Sequence, residues 1–374
     1  MVNDVVSILA DLVKIPSICG GETKIAEFIA QWLEKNGLPV EMLDVKPNRA
    51  DVITRLVGDK PGPRIMLSGH MDTVEAGTGW TYDPFDARIE GGKMYGRGTF
   101  DMKAGLACLL WLAAKCKEEV VLKKGELVIV GVVDEEAIDL GTYALIQEGI
   151  TKGVDFAMMP ESTNLKVVIA RRGRVVFEVA VHGKVAHTQW PEHGVNAIER
   201  AAVLINALPQ LVGVQHIRMG RSTLTTSRIE GGQENVMLVP DRCRIVIERC
   251  LVPGYNSRMA LDELRGLANT LGINAEVKTV DRETPFCEPY EIPENDPHVR
   301  LVVNSAARVL GNPPEVIFEP GPSDSCILVN QGQIPTIEFG PSGARLHEPD
   351  EYVEIESVKQ TAAVYYEIVK SLLG

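Results

Sequence analysis

The chain has 374 residues, longer than one hydrophobic core usually supports, so two domains are the default. Apolar residues make up 45% and charged residues 24%, the balance of an ordinary globular protein. The net charge of −13 argues against a nucleic-acid binder, which needs clustered Lys and Arg to neutralise phosphates.

The opening stretch MVNDVVSILADLVKIPS sets Asp4 and Asp11 among apolar positions at helical spacing. It has no basic leader region and no cleavage site, which predicts an amphipathic helix and not a signal peptide. No run of 18 apolar residues occurs, so no membrane span is expected. The seven cysteines, at 19, 108, 116, 243, 250, 287 and 326, form an odd set without a CxxC pair. Such a set fits reduced thiols in a cytoplasmic protein better than a disulfide framework or a Cys-type zinc site.

Up to about residue 172, strand and helix patterns alternate. The apolar runs RIMLS, ELVIVGVV and FAMM are short and bounded by Gly, Pro or acidic residues, as buried strands are, and MKAGLACLLWLAAKCKEE and LGTYALIQEG read as helices. This predicts an α/β domain with a largely parallel sheet flanked by helices. Residues 173–285 differ: RVVFEVAVHG and RCRIVIERCLV alternate like strands, while NAIERAAVLINALPQLV and SRMALDELRGLANTLG read as helices. They predict a smaller α+β, ferredoxin-like unit with both helices on one face of one sheet. NDPHVRLVVNSAARVLG, IPTIEF and ESVKQTAAVYYEIVKSLL return to the α/β style. The expected organisation is therefore a catalytic domain of 1–172 and 286–374 with 173–285 inserted.

Acidic residues and histidines gather where these strands end. His70 and Asp72 follow one strand, Glu135 and Glu136 a second, Glu161 a third and His347 a fourth; Asp101 stands where a Gly-rich loop enters a helix. In an open α/β sheet, ligands bind outside the carboxyl ends of the strands. Two imidazoles, several carboxylates and no thiol make a donor set for a pair of zinc, manganese or cobalt ions. Helix caps and solvated turns would explain any one of Asp101, Asp134 or Glu161. Adjacent Glu135 and Glu136 after so apolar a strand would repel each other unless a cation or proton compensates.

SGHMDTV, YGRGTFDMKAG, VVDEE, PEST, VAHTQWPEHGVNAI, GPSD and HEPDEYV, in this order, resemble the motifs of a dinuclear metallohydrolase family. That family includes aminoacylase, acetylornithine deacetylase, succinyl-diaminopimelate desuccinylase and glutamate-releasing carboxypeptidases. The resemblance runs from about residue 10 to the C-terminus. It implies one divalent ion held by His70 and Glu161, a second by Glu136 and His347, and Asp101 bridging both, with zinc expected and cobalt or manganese as substitutes. It implies that Asp72 accepts the other ring N–H of His70, that Glu135 is the general base and then acid, and that the Asp101–Met102 peptide is cis. It also implies that 173–285 is a lid and homodimer interface. The resemblance further implies that His187 reaches an active site from this unit to stabilise the oxyanion, and that Arg249 and Asn235 contact substrate. Three positions depart from the family pattern: Ser162 replaces a proline, Asn235 stands further than usual before its proline, and Tyr255 replaces a glutamate in PGE. His182, His193, His216 and His298 have no such support.

The activity implied is hydrolysis of the amide bond of a small N-acyl amino acid or short peptide by a metal-activated water. The alternative from another class is a non-catalytic metal-binding scaffold on the same fold. A nucleotide site is not indicated, because GRGTFDMKAG is neither GxGxxG nor GxxxxGK[ST]. No GxSxG elbow marks a serine hydrolase.

Overall fold

The computed structural model of the protein describes residues 4–374 apart from 212 and 235, so the expected substrate contact Asn235 lies outside the described residues. Two compact units emerge: residues 1–169, 292–317 and 323–374 form one, and residues 170–291 with 318–322 form the other.

The first unit is built on a mixed sheet. Its strands run, edge inward, as Glu41–Lys46, Arg49–Val57, Lys124–Val132, Lys60–His70, Phe156–Met159, Thr336–Glu338 and Val167–Arg171. The central four are mutually parallel, whereas the two leading strands and Val167–Arg171 pair antiparallel. The sheet is therefore less uniformly parallel than its apolar runs suggest. Strands buried on both faces read alike in either direction. Lys124–Val132 shows this: its last six residues are all buried.

Helices cover both faces. On one, Ala104–Glu118 packs against the C-terminal helix Ile355–Leu373 and the amphipathic Val5–Val13. Eleven of the fifteen residues of Ala104–Glu118 are buried, so it has no polar stripe and reads from the sequence as a continuous apolar run. On the other face, Met66, Val128, Val130 and Ala157 pack with Leu145 and Leu328 from the helices Leu140–Gln147 and Asp324–Asn330. No described helix is long and apolar enough to cross a membrane.

The second unit is a four-stranded antiparallel sheet in the order Leu224–Gly231, Arg242–Leu251, Gly173–His182, Ala275–Thr279. Helix Ala197–Ala207 follows its first strand and Ser257–Thr270 its third, the β-α-β-β-α-β course of a ferredoxin-like sheet. Val175, Phe177, Val179 and Val181 alternate inward and meet Ile245, Ile247, Leu204 and Leu264 in one apolar layer. Pro209 ends the first helix in a short 3₁₀ turn, Leu208–Leu211.

Candidate metal centre

Strand register brings the candidate residues of the first unit together. His70 closes Lys60–His70 and lies opposite Val132 in the parallel neighbour, so Asp72 falls level with the turn that carries Glu135 and Glu136. The Asp72 carboxylate accepts the backbone N–H of Glu135 at 3.2 Å through Oδ1 and of Glu136 at 3.0 Å through Oδ2. His70 Nδ1 lies 2.9 Å from the backbone carbonyl of Asp72 and 3.6 Å from its carboxylate. The Asp72 side chain thus serves chiefly the two glutamates, and its backbone serves the ring of His70. That division differs from the expected carboxylate–imidazole contact. The physical reason is that the half-buried turn N–H groups of Glu135 and Glu136 need acceptors.

Asp101 sits between two imidazoles. Its Oδ1 is 3.1 Å from His70 Nε2 and its Oδ2 is 3.1 Å from His347 Nε2. His347 Nε2 also lies 3.0 Å from Glu136 Oε1. Ligand atoms of His70, Asp101 and Glu136 fall within 4.8 Å of one another. The Asp101–Met102 peptide is cis. Glu161 is buried two residues beyond Phe156–Met159, at the same carboxyl edge. Gly340 is required there, since a Cβ on it would stand 1.9 Å from the Glu161 carbonyl oxygen. His347 (φ 60°) and Asp134 (φ 73°) take the left-handed backbone conformation, a strain that gathers at functional sites.

The electrostatics show carboxylates in need of cations. Burial, reinforced by Glu161, Asp324 and Asp101 and only partly relieved by His70, holds the Glu135 carboxyl well above its usual range. Burial pushes Asp72 up to about 6, against the pull of His70 and the Glu136 N–H. Burial disfavours an imidazolium at His70, but the hydrogen bond to Asp101 and the charges of Glu135, Asp101 and Asp72 outweigh it and raise its pKa. Hydrogen bonds to Asp101 and Glu136 push His347 up to about 10. Both shifts have the same physical cause, imidazole nitrogens held against buried carboxylates. Imidazole nitrogens interleaved with carboxylate oxygens fit zinc, cobalt or manganese.

Residues 66–371 match the profile of peptidase family M20/M25/M40. The chain belongs to that family. It is a metal-dependent hydrolase of amide and peptide bonds, and the non-catalytic alternative is not favoured. A probable succinyl-diaminopimelate desuccinylase of Staphylococcus epidermidis is 25% identical, across 99% of this chain and 98% of that protein. A tripeptidase from Staphylococcus aureus shares the fold with a TM-score of 0.80 at 23% identity, covering 100% of this chain and 99% of the other. A dinuclear metal-binding M20 peptidase from Bacillus subtilis does so with a TM-score of 0.73 at 20% identity, covering 99% and 97%.

The remaining candidates of this M20-family chain lie in the second unit. His187 is exposed, and its Nδ1 accepts the Gln189 N–H at 3.1 Å, which assigns the ring proton to Nε2. Arg249 faces the helices and is only 1% exposed. Its Nη2 donates to the Leu211 carbonyl (2.5 Å) and to the Tyr255 hydroxyl (3.0 Å), and lies 3.4 Å from Glu263 Oε2. Nε and Nη1 have no partner among the described residues. Tyr255, which replaces the family's glutamate, hydrogen-bonds Glu263, so Glu263 supplies the carboxylate beside this guanidinium.

Sequence reasoning missed a clamp behind the glutamates. Arg49 donates to Glu22 (2.8 and 2.5 Å) and to Asp134 Oδ1 (2.5 Å), both buried, and the Cys19 thiol donates to the same Asp134 oxygen at 3.4 Å. Cys19, Glu22 and Asp134 are close enough to hold a cation, and Arg49 provides one. Arg49 lies in PNRAD, a stretch with the look of a polar turn, and no spacing rule ties it to residue 134.

Proposed function

We propose that the protein removes the acyl group from a small N-acyl amino acid, or a terminal residue from a short peptide, with two divalent ions. Zinc is the first candidate. His70 and Glu161 would hold one ion, Glu136 and His347 the other, and Asp101 would bridge them. The single observation that carries this reading is the placement of Asp101 between His70 and His347, with Glu135 beside them. Bound metal supplies a Lewis acid and lowers the pKa of a bound water from 15.7 to about 7. Glu135 takes the proton of the attacking water and delivers one to the departing amine as the C–N bond breaks. Asp72 fixes the backbone of Glu135 and Glu136 so that base and ligand stay in register.

His187 is proposed to donate Nε2–H to the developing oxyanion, in its own chain or a partner's, and a homodimer through the second unit is proposed from the family resemblance. A role for Arg249 with substrates that carry a free carboxylate, a group its planar fork matches, rests on the family resemblance alone, since here its guanidinium is buried and held by Leu211, Tyr255 and Glu263. Seven free cysteines fit a reducing cytoplasm.

The test is metal analysis coupled to a substrate panel of N-acetyl and N-succinyl amino acids, dipeptides and tripeptides, with and without chelator. Up to two ions per chain and chelator-sensitive amine release on one class would support the reading and select the substrate. A protein that binds no metal after reconstitution would refute it.

A further inference from the structure

Glu351 follows the late histidine by four residues and sits in EPDEYV, where it has the look of a solvated turn acid. The structure buries it completely. Tyr352–Glu354 pairs antiparallel with Lys93–Tyr95, and the Glu351 carbonyl accepts the Gly96 N–H at 3.0 Å. That pairing delivers the Glu351 side chain to the loop running from Arg97 to Asp101. There four donors converge on one carboxylate. Oε2 accepts Arg97 Nη1 at 2.5 Å and the Gly98 N–H at 3.1 Å; Oε1 accepts the Phe100 N–H at 2.8 Å and the Asp101 N–H at 3.1 Å.

We propose that Glu351 is a positioning residue for the metal centre: it ties the loop that carries Asp101 to the segment that carries His347 and so sets the direction of the Asp101 carboxylate. The inference rests on the reading of Asp101 as the bridging ligand. Three of the four donors belong to the backbone immediately before or at Asp101, so the grip acts on the main chain and not on the ligand oxygens. Arg97, only 1% exposed, neutralises the buried charge. An ionised carboxylate is the one side chain of this length that accepts at both oxygens; a glutamine turns an NH₂ toward two of the four donors. Hydrogen-bond partners that orient metal ligands typically contribute about 10- to 100-fold in metal affinity.

The experiment measures zinc affinity by chelator competition for the wild type, Glu351→Gln and the surface control Glu356→Gln, with kcat and KM on the best panel substrate. The expected result is a loss of zinc affinity of about 10- to 100-fold in Glu351→Gln, a fall in kcat at unchanged KM, and wild-type behaviour of the control. Glu351→Asp keeps the charge against Arg97 but withdraws it by one methylene. It carries the same expectation and serves if the glutamine variant does not fold. Wild-type zinc affinity in either folded variant overturns the inference while leaving the centre intact. Failure of the wild type itself to bind zinc overturns the reading of the centre and this inference with it.

Discussion

Replacing Asp72 by asparagine separates the two tasks open to this carboxylate. Its two oxygens accept the N–H groups of Glu135 at 3.2 Å and Glu136 at 3.0 Å, while the ring of His70 is served at 2.9 Å by the Asp72 carbonyl. Asparagine keeps one acceptor and sets an amide NH₂ against the other N–H, so one half-buried donor loses its partner. That loss costs about 1–3 kcal/mol, and in a chain of this size it lowers Tm by a few degrees. The larger effect falls on turnover. Glu135 is held by the bond being broken, and a displacement on the order of 1 Å at a catalytic group can cost about 100-fold. Steady-state amine release, zinc content and a thermal melt on the same preparation should give kcat down about 100-fold, zinc retained and a modest loss of Tm. Zinc lost in step with kcat would show that a ligand depends on this carboxylate, either Glu136 through its N–H or the ring of His70. A kcat within about threefold of wild type would refute the positioning argument altogether.

Glu135→Gln should retain zinc and lose at least about 100-fold in kcat, since it removes the base and no ligand; a loss below about tenfold would show that another group moves the proton. His347, pushed up to about 10 without metal, must lose a proton when zinc binds. Below that pH the proton competes with zinc, so affinity should rise with pH by up to about tenfold per unit for each proton released. Calorimetry in two buffers of different ionisation heat should detect release near neutral pH, and no release would contradict the assignment. Gly340→Ala drives a Cβ to 1.9 Å from the Glu161 carbonyl. It should cost about 1–3 kcal/mol of stability and weaken zinc binding, and a variant with unchanged zinc affinity would show that this strand end can move freely. His187→Ala should lower kcat with little change in KM; an effect confined to KM would place His187 in substrate binding instead.

Much of the centre was legible because its residues break a pattern. His70, Glu135, Glu136 and Glu161 are polar groups just past strands whose buried runs leave no polar alternative, and the carboxyl edge of such a sheet is where they must meet. The helices were legible from length and periodicity. Sheet direction was not, since Arg49–Val57 and Lys124–Val132 are equally apolar in an antiparallel or a parallel neighbourhood. The partners of Asp72 were not legible either: they depend on a register between strands some sixty residues apart, and only coordinates supply the 3.0 Å contact to Glu136. Glu351, Arg97 and Arg49 were hidden for a related reason. A charged residue in a polar turn is usually solvated, and nothing local announces that a buried counter-charge waits for it.

The position of Thr336–Glu338, between Phe156–Met159 and Val167–Arg171, has a consequence for synthesis. A nascent chain that ends before residue 336 lacks a central strand, and it lacks His347 as well. On the ribosome His70, Asp101, Glu136 and Glu161 emerge first, and the last imidazole follows only after the whole second unit. At 5–20 residues per second, the interval from Glu161 to His347 lasts roughly 10–40 s. Between the synthesis of Val167–Arg171 and that of Thr336–Glu338, any sheet already formed would have no partner for Phe156–Met159 on that side, the kind of edge that recruits other chains. The sheet and the set of ligands are therefore both completed by residues that lie beyond the second unit in the chain.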